Sequence, residues 1–195
     1  MNSSKRVLFL VEVAILSAFA YVLDIIPFLS IKFWAQGGSV SLAMIPVFIV
    51  AYRWGLKGGL LSGVLFGLYQ VAFGQAYILT PIQGILDYGV AFTVLGFAGL
   101  FAGRVQQSLK ERNKIQFIWN VSAGILLGCT LRFFAHYFAG VAFFESAVDG
   151  MGIYLYSFLY NISYLLPCFI LNAIVIGFLF YKQPRLLVLK TAAIN

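Results

Sequence analysis

Apolar runs long enough to cross a bilayer follow one another along the whole chain, and nothing else in the sequence constrains the fold as much. A helix needs about 20 apolar residues to span the hydrocarbon layer. Such runs lie at about 7–29, 56–73, 81–101, 115–139 and 154–181, with a shorter one, interrupted by Pro46, at about 38–52. Of the 195 residues 62% are hydrophobic and 10% charged, with a mean hydropathy of +0.96. Soluble domains carry about 25% charged residues, so no soluble core could hide this much apolar surface. The chain reads as an all-α membrane protein, one six-helix domain over residues 1–195. Continuous apolar runs argue against a barrel, whose strands alternate over about ten residues.

The charges orient the bundle. Lys5 and Arg6 precede the first run, and Arg53 and Lys57 bracket the turn between the second and third. Arg104, Lys110, Arg112 and Lys114 join the fourth and fifth, and Lys182, Arg185 and Lys190 follow the sixth. The opposite loops hold Lys32, Glu145 and Asp149. Basic residues stay on the cytoplasmic side, so both termini are expected inside. The same asymmetry explains the net charge of +7 without nucleic acid as a partner.

Two features read as bland. Cys129 and Cys168 fall inside apolar runs without ligand spacing, as small core residues do. Lys5-Arg6 followed by an apolar run and Ala18-Phe19-Ala20 loosely resembles a secretory signal. Glu12 interrupts that run and five more follow, so a retained span is the simpler reading.

The residues that suit lipid badly share one depth, the outer half. Trp34, Gln36, Gly37 and Gly38 lie in the first outer loop, and Gln75 and Tyr77 in the second. Asp87 and Tyr88 sit in the fourth run, and Arg132 and His136 in the fifth, followed by Phe143, Phe144 and Glu145. Tyr154, Tyr156, Tyr160 and Asn161 begin the sixth. The cytoplasmic half offers no comparable set. Ionisable groups inside a membrane are costly and commonly functional. Asp87 either pairs with Arg132 or meets a cationic ligand. His136 either is a satisfied core histidine or touches a ligand. As the only histidine, outside any HExxH pattern, it makes no metal site. Asn161 either bonds another helix or reads a heterocycle edge. Tyr77, Tyr154 and Tyr164 are as compatible with the interfacial aromatic belt, and Trp54 and Trp119 belong to it on the cytoplasmic edge. Aromatic faces around one carboxylate suit a flat cation.

Small residues recur every four positions at Gly55, Gly59, Gly63 and Gly67, at Gly124 and Gly128, and at Ala14 and Ala18. Such faces let helices approach closely. For the glycine run this means internal packing; Ala14 and Ala18 could instead dock a partner helix. No phosphate-binding loop, nucleophile constellation or proton-relay series is present, and no inverted repeat marks a self-sufficient transporter. No enzyme activity and no cofactor are expected.

Four stretches carry a resemblance: "WAQGGSVSLAMIP" at 34–46, "LDYGVAF" at 86–92, "RFFAHYFAGVAFF" at 132–144 and "YSFLYNISYLLP" at 156–167. In order and setting they resemble the thiamine-specific S components (ThiT family) of energy-coupling factor transporters. The resemblance implies a subunit of a bacterial cytoplasmic membrane that captures thiamine outside. It would work with a transmembrane coupling subunit and two cytoplasmic ATPases. It also implies ligand contacts for Trp34, Gly37, Tyr77, Asp87, Tyr88, His136, Gly140, Phe144, Tyr156 and Asn161. Glutamate is frequent in the family where this chain has Asp87, and tryptophan occurs in place of Phe144. Ala14 and Ala18 become the docking face. The stretch 32–46 then reads as a lid, with Gly37 and Gly38 as hinges, Trp34 as an aromatic wall and Pro46 shortening the span beneath. The rival readings are an S component for another flat heterocyclic vitamin or precursor, a multipass sensor or assembly factor, and, furthest, an intramembrane enzyme.

Overall fold

A computed structural model of the chain describes residues 3–34, 37–73 and 76–187, with Phe33, Trp34 and Gly37 described by their backbone alone. Gln36, Gln75 and Lys190 lie outside these residues. Five helical elements are long and apolar enough to cross a membrane. They are α1 (Ser3–Ile25), α2 (Met44–Ala72), α3 (Pro81–Lys110), α4 (Lys114–Phe143) and α5 (Ile153–Lys182). Large apolar side chains such as Ile82, Ile115, Trp119, Ile174 and Phe178 face outward, as a lipid-solvated bundle requires.

The expected second and third spans form the single element α2, broken at Gly55, whose φ of 74° and ψ of −166° suit glycine alone. The break is sharp. A side chain starting at Gly59 would lie 2.8 Å from the Ala51 Cβ, although eight residues of straight helix span about 12 Å. The two halves therefore bend back on each other where Arg53 and Lys57 marked a turn. The first half is the heart of the core: Val47, Phe48, Val50, Ala51 and Tyr52 are wholly buried. The Tyr52 hydroxyl donates to the Val121 carbonyl of α4, and its ring meets Phe180 of α5 edge-on.

The glycine run packs internally. Side chains at Gly59, Gly63 and Gly67 would collide with the α3 backbone at Gly96, Phe92 and Tyr88. Gly96 and Gly99 are equally hemmed in by α2. Neither partner tolerates a Cβ, so the two backbones touch.

The all-α expectation needs one amendment. The first outer loop and the residues expected to open the second span form a hairpin of β1 (Ser30–Trp34) and β2 (Gly37–Ser41). They pair antiparallel in the register Ser30–Ser41, Ile31–Val40, Lys32–Ser39 and Trp34–Gly37, and α2 starts only at Met44. The reason is local: polar and apolar residues alternate through Ser30–Ile31–Lys32 and Ser39–Val40–Ser41, the period of a strand with two unlike faces.

A second amendment concerns the half of the bundle expected on the cytoplasmic side, which does hold a partly buried polar set. Glu12 of α1 accepts from Arg53 Nε at 2.6 Å, Arg53 Nη2 at 2.8 Å and Trp54 Nε1 at 2.7 Å. Arg53 Nη1 donates to the carbonyls of Arg185 and Leu186, both at 3.0 Å. Trp54 is thus bonded into the fold rather than floating in the interfacial belt, whereas Trp119 is 72% exposed.

Candidate functional site

The hairpin and the helix ends beside it surround a cavity of about 150 Å³. α3 supplies its floor. Thr80 caps α3, accepting from the Gln83 amide, with Pro81 in the first turn. The helix then widens into a π turn at Ile85–Val90, a distortion that recurs at functional sites. Gln83, Asp87, Tyr88 and Phe92 all line the cavity from this stretch.

Asp87 sits in a chain of polar groups crossing to α4. Gln83 Nε2 donates to Asp87 Oδ2 at 2.6 Å, and His136 Nδ1 lies 2.7 Å from Asp87 Oδ1. Arg132 Nε donates to His136 Nε2 at 3.2 Å. A guanidinium can only donate, so Nε2 is an acceptor and the imidazole proton sits on Nδ1, directed at Asp87. The histidine is neutral in this arrangement. Arg132 thus reaches Asp87 through the imidazole, and its guanidinium carbon lies 4.2 Å from the Phe92 ring centroid. A carboxylate has about four acceptor positions, so Asp87 keeps capacity for a group inside the cavity.

The walls are aromatic. Tyr156, Tyr160 and Tyr164 follow one another along α5, with centroid separations of 6.0 and 5.9 Å. Tyr77 and Phe144 tilt together at 6.3 Å, and the Tyr77 amide donates to the Tyr88 hydroxyl at 2.7 Å. Asn161 is satisfied within α5: its Nδ2 donates to the Ser157 carbonyl and its Oδ1 accepts from the Tyr164 hydroxyl, each at 2.8 Å. Gly140 lets α4 and α5 meet, because a Cβ there would strike the Ser157 hydroxyl.

Tyr77, Asp87, Tyr88, His136, Gly140, Phe144, Tyr156 and Asn161 therefore line one cavity. Trp34 and Gly37 face each other as the closing pair of the hairpin, and their side-chain positions lie outside the description. Ala14 and Ala18 lie on an exposed face of α1 with Val11, Ile15 and Phe19. Sequence reasoning missed Asp24, Lys32, Ser39, Gln70 and Gln83 as lining residues. Asp24 stands at the end of an apolar run, where a charge reads as interfacial. Gln70 and Gln83 are uncharged and carry no comparable signal.

The family of thiamine transporter proteins (Thia_YuaJ) matches residues 10–188. This chain belongs to that family. It is 44% identical over 190 residues to the thiamine transporter ThiT of Bacillus subtilis (strain 168), covering 96% of this chain and 97% of that protein. It is 30% identical over 194 residues to ThiT of Lacticaseibacillus paracasei, covering 97% and 95%. The solved structure of ThiT from Listeria monocytogenes superposes with a TM-score of 0.87 at 34% identity, over 94% of this chain and 98% of that one. The family and the several apolar helices make this a multipass membrane protein with a ThiT-like fold.

Proposed function

We propose that this chain is the thiamine-binding S component of an energy-coupling factor transporter in a bacterial cytoplasmic membrane. It spans the membrane six times, the two halves of α2 each counting as one pass, with both termini inside. The observation that carries the reading is the Gln83–Asp87–His136–Arg132 chain at the floor of an aromatic cavity. Thiamine joins a permanently cationic thiazolium to an aminopyrimidine rich in hydrogen-bonding edges. Asp87 supplies negative charge and free acceptor positions, and Tyr88, Phe144 and Tyr156 supply faces for a cation. Tyr77, His136, Gly140 and Asn161 shape the rest, and Trp34 and Gly37 belong to the hairpin that closes over the ligand.

Capture alone does not move the vitamin. A transmembrane coupling subunit and two cytoplasmic ATPases supply the work, and Ala14 and Ala18 on the outer face of α1 admit the partner helix. Thiamine titrated into detergent-purified protein binds without ATP and is recovered unmodified. Ala14→Leu/Ala18→Leu binds thiamine as wild type does but abolishes uptake in cells. If no heat of binding appears, the ligand is another molecule; if the double variant still transports, the partner docks elsewhere.

A further inference from the structure

Helices α1 to α5 supply most of the lining of the cavity, and Tyr77 and Phe144 add to it from loops. The hairpin contributes Lys32, Gly38 and Ser39, and its polar anchor lies on α1. Ser30 of β1 donates to Asp24 Oδ1 at 3.2 Å, and Ser39 of β2 donates to the same oxygen at 3.5 Å. Gln70 of α2 donates to Asp24 Oδ2 at 2.6 Å. One carboxylate thus holds both strands and ties them to two helices. Ser30 and Ser39 are not cross-strand partners, since Ser30 pairs with Ser41 and Ser39 with Lys32. Asp24 therefore bridges two rungs of the ladder rather than capping one.

Among the described residues, the hairpin's other holds are a thiol, a backbone bond at its base and close packing. The Cys168 thiol donates to the Ser39 carbonyl at 3.3 Å. The Leu42 amide donates to the Leu29 carbonyl at 3.2 Å, closing the base. Gly38, at φ +69°, lies against Tyr160 and Tyr164 so closely that a Cβ would sit 2.8 Å from Tyr164. Thiol donors are weak and a charged acceptor strengthens a hydrogen bond, though the two serine contacts are long beside the 2.6 Å bond from Gln70.

We propose that Asp24 is a positioning residue that pins both strands of the hairpin over the cavity and thereby sets how long the ligand stays bound. The proposal rests on the thiamine-capture reading for its ligand, but the pin itself is a property of the ligand-free chain. The hairpin is then the wall that moves aside as the ligand leaves. Cutting the pin speeds departure and leaves encounter nearly untouched, because encounter depends on the open form. Asp24 itself lines the cavity, and the proposed role runs through Ser30 and Ser39.

The test uses the full chain in detergent. Thiamine association and dissociation rates, and ligand-free amide hydrogen exchange over 30–34 and 37–41, are measured for wild type, Asp24→Ala, Asp24→Asn and Ser30→Ala/Ser39→Ala. Asp24→Ala and the double serine variant each accelerate dissociation about tenfold and change association by less than about twofold, the effect of losing charge-assisted hydrogen bonds. Hairpin amides exchange faster in both, while those of α4 and α5 do not. Combining the three alanines is no worse than Asp24→Ala alone, since all remove one linkage. Asp24→Asn, which keeps an acceptor for the serines, falls between. Should Asp24→Ala not fold, the serine variant carries the test. The proposal is overturned if hairpin exchange is unchanged in the serine variant. It is also overturned if Asp24→Asn loses as much affinity as Asp24→Ala while the serine variant stays wild type, which would make Asp24 a counter-charge to the ligand. Wild-type protein that ignores thiamine while its hairpin exchange still responds would sink the ligand reading and keep the pin.

Discussion

Two carboxylates inside the bundle, Glu12 and Asp87, are both largely withdrawn from solvent and have opposite situations. In the pair Arg53 and Glu12 the side chains are 14% and 22% exposed, and in the pair His136 and Asp87 14% and 13%. Burial does not separate them; the use of their hydrogen-bonding capacity does. Glu12 takes three donors from Arg53 and Trp54, and Arg53 turns its remaining edge to two backbone carbonyls. That cluster clasps α1, the bend of α2 and the segment after α5, away from the residues that line the cavity. Asp87 takes one donor from Gln83 and one from His136, beside an open volume. An ionisable group inside a membrane is costly in either place. Where the protein satisfies it fully the group is architecture. Where acceptor capacity is left over beside a cavity, a ligand completes it.

The sharpest break in this comparison comes from the clasp. Removing one member of a buried pair leaves an uncompensated charge, a loss of about 3 kcal/mol or more. Glu12→Ala should lower the melting temperature of ligand-free protein markedly, and the surviving folded fraction should bind thiamine with wild-type affinity. A variant that melts normally and binds weakly would mean the two clusters are coupled through α1.

The outer acid should behave in reverse. Asp87→Asn keeps the shape but loses the charge, and its single amide oxygen can accept from only one of Gln83 and His136. Affinity should fall about ten- to hundredfold, the scale of ~1.5–3 kcal/mol for a hydrogen bond or contact to a charged group. The melting temperature without ligand should change little. Unchanged calorimetric affinity with a lowered melting temperature would make Asp87 a second clasp.

The same contrast explains what the sequence disclosed. Asp87, His136 and Asn161 drew attention in the sequence because polar groups amid long apolar runs are costly, and the structure sets all three on one cavity. The glycines at 59, 63 and 67 were legible because a four-residue spacing has one structural meaning in a helix. Glu12 was visible but misjudged: its partners Arg53 and Trp54 are 41 and 42 positions away, and each had a sufficient local reading as loop charge or belt aromatic. Asp24 was lost for the same reason. The strands at 30–34 and 37–41 were absorbed into a loop and a span, because five-residue alternation is a faint signal beside runs of twenty. The π turn under Asp87 has no sequence signature that propensity could reveal.

The smallest effect tests the hairpin itself. Trp34 ends β1 opposite Gly37, and the hairpin borders the cavity through Lys32, Gly38 and Ser39. The other two tryptophans are set apart by their contacts: Trp54 belongs to the Glu12 clasp and packs edge-on against Phe9 at 5.2 Å, and Trp119 is 72% exposed on α4. A thiazolium or aminopyrimidine ring stacked on an indole should quench its emission. Titration with thiamine should therefore lower intrinsic fluorescence, and Trp34→Phe should remove most of the change. Affinity should drop by about 1 kcal/mol, the scale of a partly desolvated cation–π contact with the ring retained as phenyl. Trp119→Phe should preserve both quench and affinity. Trp54→Phe should preserve the quench and cost stability alone, because it removes one donor from Glu12. A quench that survives in Trp34→Phe and vanishes in Trp54→Phe would place the ligand on the cytoplasmic side, next to the clasp, and invert the assignment of the two halves.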